Sequence, residues 1–155
     1  MKDKLIFILI SLFFLSCNSH TIDKVISKID NTDISPIYGM SICYRSNVYF
    51  VNAFFSTCSP YIIKTNHLEI DSLEIDNNLV LKSCGRDYLD YFQIKKAFQC
   101  YNNLHVSYIR IDEKGNVYIN PSKADKPTLL RISENNIPND IEDFKKYKDN
   151  WYIRK

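Results

Sequence analysis

The stretch "SICYRSNVYFVNAFF", Ser41 to Phe55, is dense in β-branched and aromatic residues and broken near its middle by Ser46 and Asn47. Such side chains suit a pleated, half-buried surface and a Ser-Asn pair suits a tight turn, so the spacing predicts a two-stranded hairpin. The pattern returns in "LHVSYIRIDEKGNVYIN", residues 104–120, where alternation on both sides of Asp112–Asn116 predicts a second hairpin with Gly115 at a positive-φ position. Further on, "TLLRIS" and the terminal "WYIRK" read as strands.

Between the hairpins lies "HLEIDSLEIDNNLVLKS", residues 67–83, in which Leu-Glu-Ile-Asp occurs twice with an offset of five. Each unit alternates like a strand, but an odd offset puts Leu68 and Leu73 on opposite faces. A bulge or turn near Ser72 is therefore expected, then a turn at Asn77 and Asn78 and a strand from Leu79 to Lys82. Helical spacing is found at Ile22, Val25, Ile26 and Ile29, and again from Asp87 to Tyr101. Asn139 to Lys148 also reads as a helix, with Asp140, Glu142 and Asp143 where the dipole favours acids. In "NTDISPIYG", Pro36 steers Ser35 away from helix and marks a connector. The expected fold is α+β: a mainly antiparallel sheet with hairpins and two to three helices.

The chain has 155 residues, 20 basic and 18 acidic, with no broad basic excess to suggest a nucleic-acid partner. Lys145, Lys146 and Lys148 stand beside Glu142, Asp143 and Asp149, as on a solvated helix face. The 11 tyrosines and 9 phenylalanines could serve an interface, although AT-rich codons explain the same bias. Three scattered glycines, Gly39, Gly85 and Gly115, build no phosphate-cradling loop.

The N-terminus has its own grammar. Lys2 and Lys4 precede an uncharged run from Leu5 to Leu15, then Ser16 and Cys17. Eleven helical residues reach about 16 Å, half of a hydrocarbon core, too short for a permanent span. The run ending at Cys17 resembles the lipobox of bacterial lipoproteins, with Phe14 where a leucine is usual and Leu15 beside it. That resemblance implies cleavage of residues 1–16 and an acylated Cys17 that inserts into membrane lipid, since two or three chains anchor stably and one does not. It also implies a place in the cell envelope; Asn18, rather than an aspartate that retains enteric lipoproteins at the inner membrane, favours the outer membrane. Residues 17–38 then form a lipidated N-terminus, short helix and connector, and residues 39–155 a single globular domain.

An oxidising compartment makes the remaining cysteines, Cys43, Cys58, Cys84 and Cys100, candidates for disulfides. A continuous helix over Asp87–Tyr101 separates Cys84 from Cys100 by roughly 20 Å, whereas a bridge needs α-carbons within about 7 Å. Two pairings remain: 43 with 84 and 58 with 100, or 43 with 100 and 58 with 84. Buried unoxidised thiols are the competing reading. No CxxC pair offers zinc-ligand spacing, and "DEKGN" lacks the further ligands of a calcium loop, so neither metal nor cofactor is expected.

His67, Glu69 and Asp71 share one face of the expected strand and form the strongest catalytic-looking group, as general base or cation ligands. Any solvated strand face displays the same residues. His105 sits in an apolar context and reads as partly buried; a pairing of its imidazole with the Cys84 or Cys100 thiol is the other enzymatic possibility. No GxSxG elbow occurs. Two functions follow: a lipid-anchored, non-catalytic module that recognises a protein partner, including an immunity-type or envelope accessory role, or a small envelope hydrolase using a histidine with a carboxylate or thiol.

Overall fold

A computed structural model describes residues 21–54, 56–65, 73–134 and 136–155. The chain divides into two compact units, residues 1–32 and 33–155. In the first, residues 21–30 form the expected helix, α1.

The second unit is α+β, built on a nine-stranded antiparallel sheet. Its first half is a meander of β1 (Met40–Arg45), β2 (Val48–Ala53), β3 (Tyr61–Thr65) and β4 (Leu73–Asp76). Two helices follow, α2 (Asn78–Cys84) and α3 (Tyr91–Leu104), before β5 (Tyr108–Ile111), β6 (Val117–Asn120), β7 (Leu129–Arg131), β8 (Phe144–Lys148) and β9 (Trp151–Arg154). The strand order is β4-β3-β2-β1-β5-β6-β7-β9-β8, so β4 and β8 are the edges.

Ser46 and Asn47 both have positive φ, 53° and 63°, the primed turn whose twist matches its flanking strands. That turn sets β1 against β2, opposing Ile42 to Val51 and Met40 to Ala53. Ile42 also opposes Ile109 of β5, which opposes Ile119 of β6, which opposes Leu129 of β7. Side chains alternate between faces, so this register gathers a fully buried row on one side of the sheet. Each such aliphatic side chain contributes about 2 kcal/mol by leaving water. Helix α3 lies over the same side: Phe98 and Tyr101 meet the Tyr49 ring at centroid distances of 4.8 and 5.9 Å.

Helix α3 starts later than its apolar spacing predicts, at Tyr91. Asp90 accepts from the Gln93 N–H at 2.8 Å while the Gln93 side chain accepts from the Asp90 N–H at 3.0 Å, a capping box. Upstream, Tyr61 fixes the entry: its buried hydroxyl accepts from the Tyr88 and Leu89 N–H groups at 2.9 and 3.0 Å.

Three expectations are corrected. Leu79–Lys82 is not a strand but part of α2. The Asp76 carboxylate accepts from the Asn78 N–H, Val80 rather than its leucine neighbours is buried, and Gly85 closes the helix at φ 70°. Asn139–Lys148 is not a helix. A single 3-10 turn, Ile141–Asp143, hands over to edge strand β8, which pairs with β9 through Phe144 to Arg154 and Lys146 to Tyr152. Pro36 does not exclude helical geometry at Ser35, because Ser35–Ile37 is a 3-10 turn with proline near its start, where the missing N–H is not needed.

Candidate functional site

On the sheet face opposite α3, Arg110 of β5 stands between two cross-strand neighbours, Ser41 of β1 and Tyr118 of β6. Phe54 lies just past the end of β2. The Arg110 guanidinium carbon lies 3.9 Å from the Tyr118 ring centroid and 5.2 Å from that of Phe54. Cation–π contact with two rings restricts an otherwise flexible cation. Phe54 keeps 49% of its surface exposed.

Below the stack, Tyr118 joins Leu130 and Phe144 in a small core, with Ile141 packed against it. Its hydroxyl donates to Asp140 at 2.8 Å, tying the segment after Pro138 to the sheet. Burial first, then the Asp140 hydrogen bond, pushes the Tyr118 phenol well above its ordinary pKa. Between that segment and the 112–116 loop opens a cleft of about 300 Å³, lined by Phe54, Arg110, Lys114, Tyr118, Pro138 and Asp140, with Asp112 and Glu113 also on its wall.

The loop is held from within. Asp112 Oδ1 accepts from the Lys114 and Asn116 N–H groups at 3.0 and 2.8 Å, and its Oδ2 accepts from Asn116 Nδ2 at 2.9 Å. Asn116 is fully buried, and its side-chain Oδ1 accepts from the Ser133 N–H at 2.9 Å. Gly115 takes φ 82°, as its place in the loop predicts. Both Asp112 oxygens thereby accept hydrogen bonds from their own loop. Among the described residues Arg110 has no ion-pair partner, and its Nε is buried without an acceptor.

Cys17, His67, Glu69 and Asp71 lie outside the described residues. Cys58 and Cys84 form a disulfide with α-carbons 5.7 Å apart, one bridge of the second surviving pairing. Its companion is not formed, since Cys43 and Cys100 are free. Burial raises both thiols above the ordinary range, the opposite of what a nucleophile requires. The Cys100 thiol donates to the Asp33 carbonyl at 3.4 Å.

His105 is exposed rather than partly buried, because it is the left-handed residue that ends α3, at φ 55° and ψ 47°. It borders a hollow of about 180 Å³ with Tyr44, Tyr49, Tyr101 and Ser107. Cys84 is committed to its disulfide, which removes it as a partner for this imidazole. Among the described residues no three His, Cys, Asp or Glu side chains gather closely enough to hold a metal, and no helix is long and apolar enough to cross a membrane.

The Arg110 cleft was not singled out by residue type, since one arginine in an alternating strand is unremarked. The usable signal was the second hairpin itself, whose register sets Arg110 opposite Tyr118. In comparisons with known proteins, no family model, no curated protein and no solved structure matches this chain.

Proposed function

We propose that this chain is a lipid-anchored bacterial envelope protein that works by binding another protein, with the Arg110 cleft as its recognition surface. The observation that carries the binding half is the Phe54–Arg110–Tyr118 stack. Arginine and aromatic side chains dominate interface energetics when they are held rigid at a concave surface, and here both rings and the guanidinium are positioned before any partner arrives. The anchoring half rests on the lipobox-like run that ends at Cys17. The Cys58–Cys84 disulfide accords with an oxidising envelope compartment.

Two measurements test the reading. Mass spectrometry of the mature N-terminus should find a diacylated or triacylated Cys17; an unmodified terminus, or one at another residue, overturns the anchor. Capture from envelope extracts should retain the same protein repeatedly with the wild-type chain and lose it with Phe54→Ala, a surface change that leaves the core intact. Retention by both forms removes the cleft from the function, and reproducible retention by neither removes the binding role.

A further inference from the structure

We propose that the Arg110 cleft receives the C-terminal carboxylate of a polypeptide whose last residue is apolar. The inference deepens the protein-binding reading and rests on it for the source of the carboxylate.

A guanidinium has five N–H donors, and its planar outer edge matches a carboxylate with two parallel hydrogen bonds. In Arg110 the guanidinium carbon lies over the Tyr118 and Phe54 rings, and Nε is buried without an acceptor. The terminal nitrogens form the edge that remains, and among the described residues no hydrogen bond or ion pair engages them. The nearest acids are engaged elsewhere. Asp112 accepts three hydrogen bonds within its own loop, and Asp140 accepts from Tyr118.

The same acids exclude a bare anion as the preferred ligand. The cleft carries Arg110 and Lys114 against Asp112, Glu113 and Asp140, so its summed field does not attract small anions. Binding needs apolar contact as well, and the half-exposed Phe54 ring supplies it. A chain terminus carries its carboxylate and its side chain on one carbon atom. That matches a guanidinium only 5.2 Å from an open aromatic face. An aspartate or glutamate carboxylate stands away from its own backbone and brings no apolar group to Phe54.

The test uses the 15N-labelled protein and follows the Arg110 Nε–H resonance, which burial protects from exchange. N-acetyl-leucine should shift it saturably, with a dissociation constant of about 1 mM, a plausible strength for one bidentate pair and one apolar contact. N-acetyl-leucinamide, acetate and N-acetyl-aspartate α-amide should each bind about tenfold more weakly or worse. Phe54→Ala should weaken N-acetyl-leucine by a similar factor while leaving the backbone amide signals of β1, β5 and β6 dispersed as in the wild type, which separates lost contact from lost fold. Equal shifts from N-acetyl-leucine and its amide, or no shift from either, overturn the carboxylate assignment. Equal binding of acetate overturns the apolar requirement, and equal binding of the aspartate derivative overturns the terminus. Failure of this titration while partner capture still depends on Phe54 would sink the carboxylate and spare the binding reading.

Discussion

Arg110 and Tyr118 oppose each other across the β5–β6 hairpin, with the guanidinium carbon 3.9 Å from the ring centroid and the tyrosine hydroxyl 2.8 Å from Asp140. One side chain thus orients the cation and fastens the far wall of the cleft. Tyr118→Phe keeps the ring and loses the hydroxyl, and should cost about 1.5 kcal/mol of unfolding free energy. Tyr118→Leu also removes the π face and should cost about 1 kcal/mol more. Urea titration of both variants checks the difference; equal losses would mean that the stacking contributes nothing.

Tyr61→Phe should destabilise by about 2 kcal/mol, because it strands two N–H groups where α3 begins. The Tyr88 and Leu89 amides both use that hydroxyl. Hydrogen exchange should accelerate first at those two amides, and unchanged protection there would show that other acceptors replace it.

The Cys58–Cys84 bridge spans 26 residues, a loop whose closure stabilises by about 3.5 kcal/mol on chain-entropy grounds. Reduction, or the double change Cys58→Ser with Cys84→Ser, should lower the urea midpoint accordingly. A midpoint insensitive to reductant would indicate that β3, β4 and α2 hold together without it.

Burial, as first cause, raises the phenol pKa of Tyr61, Tyr101, Tyr108 and Tyr118. A raised pKa means that the native state keeps the proton longer than the unfolded chain does. The stability this confers is complete below the ordinary tyrosine value of about 10 and is lost as pH rises through and beyond it. Unfolding free energy should therefore fall steeply in alkaline buffer, and Tyr118→Phe should flatten the decline. A stability curve level across that range would contradict the assignment.

Because burial also raises Cys43 and Cys100, both should react slowly with iodoacetamide near pH 8. Peptide mapping should show alkylation at these positions about tenfold faster or more once the chain is denatured. Equal rates in the two states would show the native thiols to be open to solvent.

Much of the sheet was legible because its signals are local. Ser46 and Asn47 announce one hairpin, Gly115 the other, and apolar alternation marks the strands around them. What misled was short and depended on distant partners. Phe144–Lys148 follows a run of acids and resembles the basic end of a helix, and only pairing with Trp151–Arg154 makes it extended. Leu79–Lys82 is apolar enough for a strand, although Gly85 was available as a helix stop. The candidate site was hidden for a different reason. Arg110 and Tyr118 face each other within one hairpin, but Phe54 comes from a distant segment, and the chemistry of the three exists only once register and faces are set.

An open ladder of nine strands ends in two edges, β4 and β8, that pair with no further strand among the described residues, and unpaired edges are how fibrils begin. This sheet answers with charge: Lys145, Lys146 and Lys148 along β8, Glu74 and Asp76 along β4. Two copies meeting through the same edge repel each other, whereas the basic edge of one and the acidic edge of another attract. The lysines of β8 thus oppose pairing between like edges, and acetylating them would remove that repulsion.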